Sequence, residues 1–416
     1  MTLNRTLLAG LLLLPGSLLA AAQNPAAEEA PSRAADPEAF AACLDRIGDQ
    51  ARSSGVSDPV VRDVLSQVRY VERVIELDRR QPEFTSTFAD YLGRRVTDQR
   101  VARGRELLAE HEELLERVHA RTGVQPHYLV AFWGLETNFG SYFGKMSVPD
   151  SLATLACDQR RSKFFTSELI AALRIIDAGD IDLAGMEGSW AGAMGHMQFM
   201  PSVFLRHAVD ADGDGRRDLW GSIDDAMNSA GTFLAAMNWK PGWRWGREVR
   251  LPEGFDHGLA GRRHARPLAD WAALGVTDIR GRPLPSLDEE AAVLVPSGHE
   301  GPAFVVYHDF DVIMGWNRSE YYALAVGLLA DRIAGTGRLS VPPPDDAPPL
   351  SRERIRALQQ ALIDAGFDPG GTDGIFGPAT RGALREWQTA RGMIADGHPD
   401  RELFRALGVE LESASG

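Results

Sequence analysis

"LVAFWGLETNFG" runs from Leu129 to Gly140 and sets one acidic residue, Glu136, into an otherwise apolar stretch. Pro126 suits a first helical turn and Gly140 suits a C-terminal cap. Leu129, Phe132, Trp133 and Glu136 follow i, i+3, i+4, i+7 spacing, so the pattern predicts a helix whose apolar stripe Glu136 continues. A carboxylate on such a face loses hydration, which favours its protonated form and should raise its pKa, as a general acid near neutral pH requires. A structural reading fits this helix alone equally well: a buried Glu paired with an Arg or capping a backbone group.

With 416 residues and 44% hydrophobic content, the chain can bury a large core and has the length for two domains. A formal charge of -14, with no strongly basic stretch, argues against a nucleic-acid partner. At the N-terminus, Arg5, an apolar run from Leu7 to Leu14 and small residues through Ala22 read as a signal peptide over 1–22. Pro15 breaks a run already too short to span a bilayer, and Cys43 is too far downstream to carry a lipid. The expectation is a soluble periplasmic protein with no stable membrane anchor. In that oxidising compartment Cys43 and Cys157 form one disulfide or stay as separate buried thiols; two cysteines without a His at metal spacing do not make a zinc site.

Residues 23–35, rich in Ala, Glu and Pro, read as a disordered leader. Asp36 then looks like an N-cap with Pro37 in the first turn, opening a mainly helical region that reaches about Ala235. From Trp239 to Met314 short runs such as "REVRLP", "AAVLVP", "AFVVYHDF" and "DVIMGW" suggest a small sheet, with "LADWAALGV" as a helix between them. The Trp-rich "NWKPGWRWG" is read as packing of a loop against that sheet rather than as a sugar-stacking surface. Ser319 caps a last core helix. The Pro-rich residues 339–350 form a linker, and the apolar stripes after Ser351 predict a compact three-helix unit over 351–410.

"DADGDGRRDLWGSID" places Asp210, Asp212 and Asp214 at alternating positions before Gly215, the opening of an EF-hand-type calcium loop. Arg216 would contribute its backbone carbonyl. Position twelve is Gly221 rather than Glu, so Asp224 is the candidate to close the shell. An Asp-rich surface turn is the structural alternative, but carboxylates this dense repel one another without a cation, and the expected calcium is structural.

Three blocks resemble the membrane-bound lytic murein transglycosylase B family over most of residues 37–335: "AFWGLETNFG", "GSWAGAMGHMQFMPS" and "WNRSEYYALAV". The variant calcium loop is also a feature of that family. Residues 352–410 resemble a three-helix peptidoglycan-binding domain, with "LQQALIDAGF", "DGIFGPAT", "WQTARGM" and "ADG" as its marks. The resemblance implies a mainly α, α+β architecture: a lysozyme-like helical catalytic domain over 36–338 with a small β subdomain and the EF-hand-like loop, followed by the wall-binding unit. It implies peptidoglycan as partner, admits cell-wall synthesis enzymes, and calls for no organic cofactor.

By the same resemblance Glu136 acts alone, first as acid and then as base, and the C6 hydroxyl of N-acetylmuramic acid replaces water to leave a 1,6-anhydro end. Ser189 and Gln198 match positions near the active Glu, although Gln198 just before Pro201 can also be read as a backbone cap. Gly192 and Gly195 are expected to let a sugar chain pass close to backbone. Asn317 matches a further cleft residue, Tyr322 is a cleft neighbour or a core aromatic, and Met194 is read as cleft wall or core; His196 is read as structural. A hydrolytic muramidase would need a second carboxylate. Asp150 and Asp158 are nearest in sequence, in contexts that fit turns and caps. A non-catalytic wall-binding protein is the rival from another class, and the intact Glu136, Ser189 and Gln198 set argues against it.

Overall fold

The helix carrying Glu136 spans Pro126–Thr137 in the computed structural model, which describes residues 36–80, 86–345 and 347–410. The signal peptide and leader expected over 1–35 lie outside the described residues. Every residue from Tyr128 to Leu135 is buried, so the helix has no solvent face and the single apolar stripe expected from spacing is corrected. A helix that is apolar all round belongs in the middle of a core. This one packs against the helices Asp98–Glu110, Glu112–Thr122, Ile223–Ala236 and Glu320–Ile333. Its end also differs from expectation. Asn138 is the C-cap, and Asn138, Phe139 and Gly140 continue in left-handed conformation with φ of 49°, 60° and 76°.

Local caps follow the sequence. Asp36 accepts the Glu38 N–H with Pro37 in the first turn, and Ser319 accepts the Tyr322 N–H to open Glu320–Ile333. Cys43 and Cys157 are bonded to each other with Cα atoms 5.9 Å apart, joining the helix Pro37–Ser53 to the end of Val148–Cys157.

The sheet is antiparallel, in the order Arg266–Pro267, Glu290–Leu294, Ala303–Val306, Gly246–Arg250, Thr277–Asp278. Ala292, Leu294, Phe304 and Val306 face the helical core, whereas Val293 and Val305 face a layer built on Trp271 and Leu268. Covered on both sides, these strands read as continuous apolar runs. "DVIMGW", expected as a strand, lies in the helix His308–Trp316. Asp309 and Asp311 favour its N-terminal turn, and Phe310 and Ile313 at i, i+3 are its buried side. In the Trp-rich segment, Trp239 packs on Tyr128 at 4.8 Å and Trp245 lies between Phe304 and Phe310.

Residues after 351 form helices Arg352–Asp364, Pro378–Ala390 and Arg401–Ala406 around Leu358, Leu384, Trp387, Leu403 and Phe404. Before them, the Ser340 and Val341 N–H groups donate to the Glu248 carboxylate at 2.9 and 2.8 Å, laying the start of the Pro-rich stretch on the sheet. Among the described residues no helix is long and apolar enough to cross a membrane.

Candidate active site

Glu136 occupies the last turn of the central helix and is half-buried while its neighbours Leu135 and Thr137 are buried. Two donors from the end of the catalytic region reach the same oxygen. Trp316 Nε1 donates to Glu136 Oε1 at 3.0 Å, and the Tyr322 hydroxyl donates to Oε1 as well. Burial first, and then the Glu136 carboxylate, raise the Tyr322 phenol well above its ordinary pKa, so the hydroxyl stays protonated. The Trp316 ring is held among Phe132, Phe233 and Phe199 at centroid distances of 4.5, 5.2 and 5.4 Å.

The glycine-rich block is fastened to the chain that follows Glu136. Glu187–Gly188 pairs with Met146–Ser147, and bridges link Gly188 to Met194 and Met194 to Phe199. Ser189 Oγ accepts the Ala193 N–H at 3.0 Å, closing a turn. Gln198 adopts φ 48° and its amide donates to the carbonyls of Phe143 and Gly195, both at 3.1 Å. A non-glycine residue in that region is uncommon, and here the two side-chain bonds hold it. The backbone-capping role weighed for Gln198 is therefore present. Asn317 ends the His308–Trp316 helix, with Oδ1 accepting the Ser319 N–H at 3.2 Å.

Two expectations are corrected here. Met194 is fully buried, so the core reading weighed for it holds and the cleft-wall one is corrected, since it has no surface to offer a sugar. Gly192 and Gly195 answer to protein packing. Both have positive φ, and a Cβ would meet Leu152 at 2.4 Å and the Leu219 carbonyl at 2.5 Å. His196 is buried, accepts the Trp133 indole N–H at Nδ1, and burial lowers its pKa to about 4, in keeping with a neutral structural role.

In the acidic loop, carboxylate oxygens of Asp210, Asp212 and Asp214 lie within 4.8 Å of one another. Asp210 also accepts the Gly213 and Gly215 N–H groups, which folds the loop around it. Asp224 stands apart, ion-paired with Arg117 at 3.2 Å. The carboxylate directed into the loop is its neighbour Asp225, fully buried and accepting the N–H groups of Ala211 and Asp218, each at 2.7 Å.

Against known proteins, a family model described as the transglycosylase SLT domain matches residues 39–331. The chain belongs to that family. A peptidoglycan binding domain model matches residues 351–407 of this SLT-family chain. Membrane-bound lytic murein transglycosylase B of Escherichia coli (strain K12) is 29% identical over 303 residues, covering 69% of this chain and 81% of the relative. Among solved structures, SltB3 of Pseudomonas aeruginosa in complex with NAG-anhNAM-pentapeptide is 44% identical, covers 89% of this chain and 99% of that one, and superposes with a TM-score of 0.85. The Escherichia coli lytic transglycosylase Slt35 in complex with calcium gives a TM-score of 0.62 at 29% identity, over 70% of this chain and 92% of that one. This SLT-family chain is a lytic transglycosylase, a lyase that degrades peptidoglycan.

Sequence reasoning missed Trp316 as a partner of Glu136 and Asp225 as the carboxylate that braces the acidic loop. The only signal for Trp316 was its place at the head of the third block, beside Asn317. The two carboxylates a hydrolase would have drawn on are engaged with backbone: Asp150 accepts the Arg69 N–H at 3.0 Å and Asp158 the Arg160 N–H at 3.1 Å.

Proposed function

We propose that Glu136 is the sole acid and base of the reaction. Its carboxylic acid first gives a proton to the glycosidic oxygen between N-acetylmuramic acid and N-acetylglucosamine, and the C1–O4 bond breaks with oxocarbenium character at the muramic anomeric carbon. The resulting carboxylate then removes the proton of the same sugar's C6 hydroxyl, whose oxygen bonds to C1. The products are a free 4-hydroxyl and a 1,6-anhydromuramic end, and no water is consumed. The convergence of the Trp316 and Tyr322 donors on one Glu136 oxygen carries this reading, because it holds a lone carboxyl in fixed orientation at the end of a buried helix. The P. aeruginosa relative solved with an anhydro-muropeptide supports it. In this reading Ser189, Gln198 and Asn317 bind the sugar's polar groups, with Tyr322 holding the acid.

Calcium fits the acidic loop, since three carboxylates already converge there, and it would neutralise their repulsion. Asp210, Asp212 and Asp214 would hold it with the Arg216 carbonyl, and Asp224 would join by leaving Arg117. The calcium complex of the E. coli relative supports this assignment. The signal-like residues 1–22 and the disulfide support export to the periplasm, with residues 23–35 as leader, 36–338 as catalytic domain, 339–350 as linker and 351–410 as wall-binding domain.

The test is Glu136→Gln assayed on sacculi with mass analysis of wild-type products. The variant keeps size but loses both proton transfers, so activity should fall by at least about a hundred to ten-thousand-fold. Wild-type ends should be lighter than hydrolysed ends by one water, about 18 mass units. A near-normal rate in the variant, or reducing ends as the main product, overturns the reading.

A further inference from the structure

We infer that the cavity beneath the start of the Pro-rich stretch is a second ligand site, separate from the Glu136 cleft, which takes a short peptide carrying several carboxylates and a free amine. The stem peptides of peptidoglycan have that chemistry. The inference does not depend on which group carries out the proton transfers. The cavity, of about 760 Å³, lies between the helices Phe88–Arg95 and Glu320–Ile333, the strands Gly246–Arg250 and Thr277–Asp278, and the residues from Thr336 to Asp345. That volume is in the range of small-ligand sites. Tyr322 holds Glu136 near the start of the helix Glu320–Ile333, whereas Asp331 and Arg332 reach the cavity from its far end. At about 1.5 Å per residue, the turns from Tyr322 to Asp331 separate the two places by about 14 Å along the axis.

Arg244, Arg247, Arg280, Arg282, Arg332 and Arg338 line the cavity against four carboxylates, so it is net positive in a chain of formal charge -14. Four of the six are paired: Arg244 with Asp331 at 3.0 Å, Arg282 with Asp278 at 2.6 Å, and Arg332 and Arg338 with Asp98. Arg247 and Arg280 have no ion-pair partner among the described residues, and Arg247 instead lies over the Tyr307 ring at 5.6 Å. The Nε atoms of Arg244 and Arg247 are buried without an acceptor, so both guanidinium groups carry donors that the protein leaves unmet. Such forks bind a carboxylate through two parallel hydrogen bonds. Burial raises the Asp331 pKa even beside Arg244, in keeping with a poorly hydrated wall where an added charge interacts strongly.

A bare phosphate would use the cations alone. This lining also holds Asp345, a carboxylate for an amine, and Leu92, Val96 and Leu328, an apolar wall for alanine methyl groups. The Glu248 carboxylate pins the roof by accepting the Ser340 and Val341 N–H groups, so an occupant touches Leu339, Pro342 and Pro343 of the linker.

The test titrates the full chain calorimetrically with the free tetrapeptide L-Ala-γ-D-Glu-meso-diaminopimelyl-D-Ala, which has no glycosidic bond to cleave. Binding should weaken about tenfold in Arg247→Gln and in Arg280→Ala, each of which removes a charge-assisted hydrogen bond. Amidating the peptide's carboxylates should weaken it further. Turnover of small soluble muropeptides should stay near wild type in both variants, and a melting midpoint for each confirms folding. Arg280 is exposed, so its variant keeps the test open should Arg247→Gln not fold. Bound peptide should also slow protease cleavage of the linker over 339–345 in wild type and less so in the variants. Equal affinity in wild type and the folded variants overturns the inference by placing the peptide elsewhere, such as the Glu136 cleft. Linker protection by inorganic phosphate as strong as by the peptide overturns it by leaving only an anion pocket, and so does the lack of saturable binding at millimolar peptide.

Discussion

Trp133 donates its indole N–H to Nδ1 of His196 at 2.9 Å, and this bond ties the turn before Glu136 to the glycine-rich block. Thr137 Oγ1 reinforces it by donating to the His196 carbonyl at 2.9 Å. The imidazole must be unprotonated at Nδ1 to accept, and burial keeps it so by lowering its pKa to about 4. A histidine depressed in the folded state contributes stability that is present above its unfolded pKa near 6.5 and lost as pH falls through the folded value. Unfolding free energy should therefore drop between pH 6.5 and 4, by up to about 3 kcal/mol from this residue. Urea denaturation across that range checks it, with His196→Gln expected to flatten the slope. A wild-type slope that the variant leaves unchanged would assign the acid sensitivity elsewhere.

The Cys43–Cys157 bond closes a loop of sequence separation 114 between the first helix and the segment that flanks the glycine-rich block. Closing so long a loop restricts the unfolded chain, and such bonds typically contribute about 2–4 kcal/mol. Replacing both cysteines with Ser should lower the unfolding free energy by that order while leaving turnover of the folded enzyme near wild type, since the donors to Glu136 Oε1 are Trp316 and Tyr322. Denaturation with and without reductant is the measurement. Coincident curves would mean the bond adds nothing to stability.

What the sequence revealed depended on how far apart the cooperating residues lie. The caps at Asp36 and Ser319 and the turn start at Pro126 were readable because each acts within a few positions. The spacing around Glu136 gave the helix but not its burial on every side, which neighbouring helices impose. "DVIMGW" carried no local sign separating strand from helix, and Phe310 with Ile313 decided it through tertiary packing. Trp316 meets Glu136 across 180 positions, a contact no periodicity encodes. Asp224 and Asp225 are adjacent acids in one helical turn, and only the direction of each side chain separates the ion pair to Arg117 from the brace under the loop.

Calcium should stabilise the fold more than it accelerates the chemistry. Asp210, Asp212 and Asp214 crowd their oxygens into one exposed loop, and a ligand bound by the folded state alone raises the apparent melting temperature by mass action. The midpoint should rise with calcium, fall with chelator, and respond weakly in Asp212→Asn. A midpoint constant over a wide calcium range would remove the assignment.

Cutting the chain just before Pro342 keeps the Ser340 and Val341 bonds to Glu248 and removes the three-helix unit with its own core. Turnover of small soluble muropeptides should survive. Pelleting with insoluble sacculi should weaken, because a tethered second contact raises the effective concentration of the first. A truncated enzyme that sediments with sacculi as well as the full chain does would deny the unit any role as wall anchor.

The three-helix unit is also fastened to the sheet region through Asp396, whose buried carboxylate accepts from the His299 backbone N–H at 2.9 Å and contacts the His299 ring at 2.7 Å. Burial pushes this carboxyl up, but the His398 N–H, the Gln388 amide and His299 outweigh it and hold its pKa below the usual range. Asp396→Ala leaves those donors buried without their acceptor, at a cost of about 1–3 kcal/mol. Only part of that cost falls on the unit's own core, where Gln388 sits; the rest falls on its attachment through His299. The variant should therefore expose the Pro-rich stretch over 339–350 to limited proteolysis while Glu136 chemistry on small substrates continues. Because a depressed Asp stabilises above its unfolded pKa near 3.9, wild type should show the same protease sensitivity only as pH falls well below 4. A variant as resistant as wild type at neutral pH would mean that other contacts, such as Arg385 near the Ala260 carbonyl at 3.5 Å, hold the unit in place without Asp396.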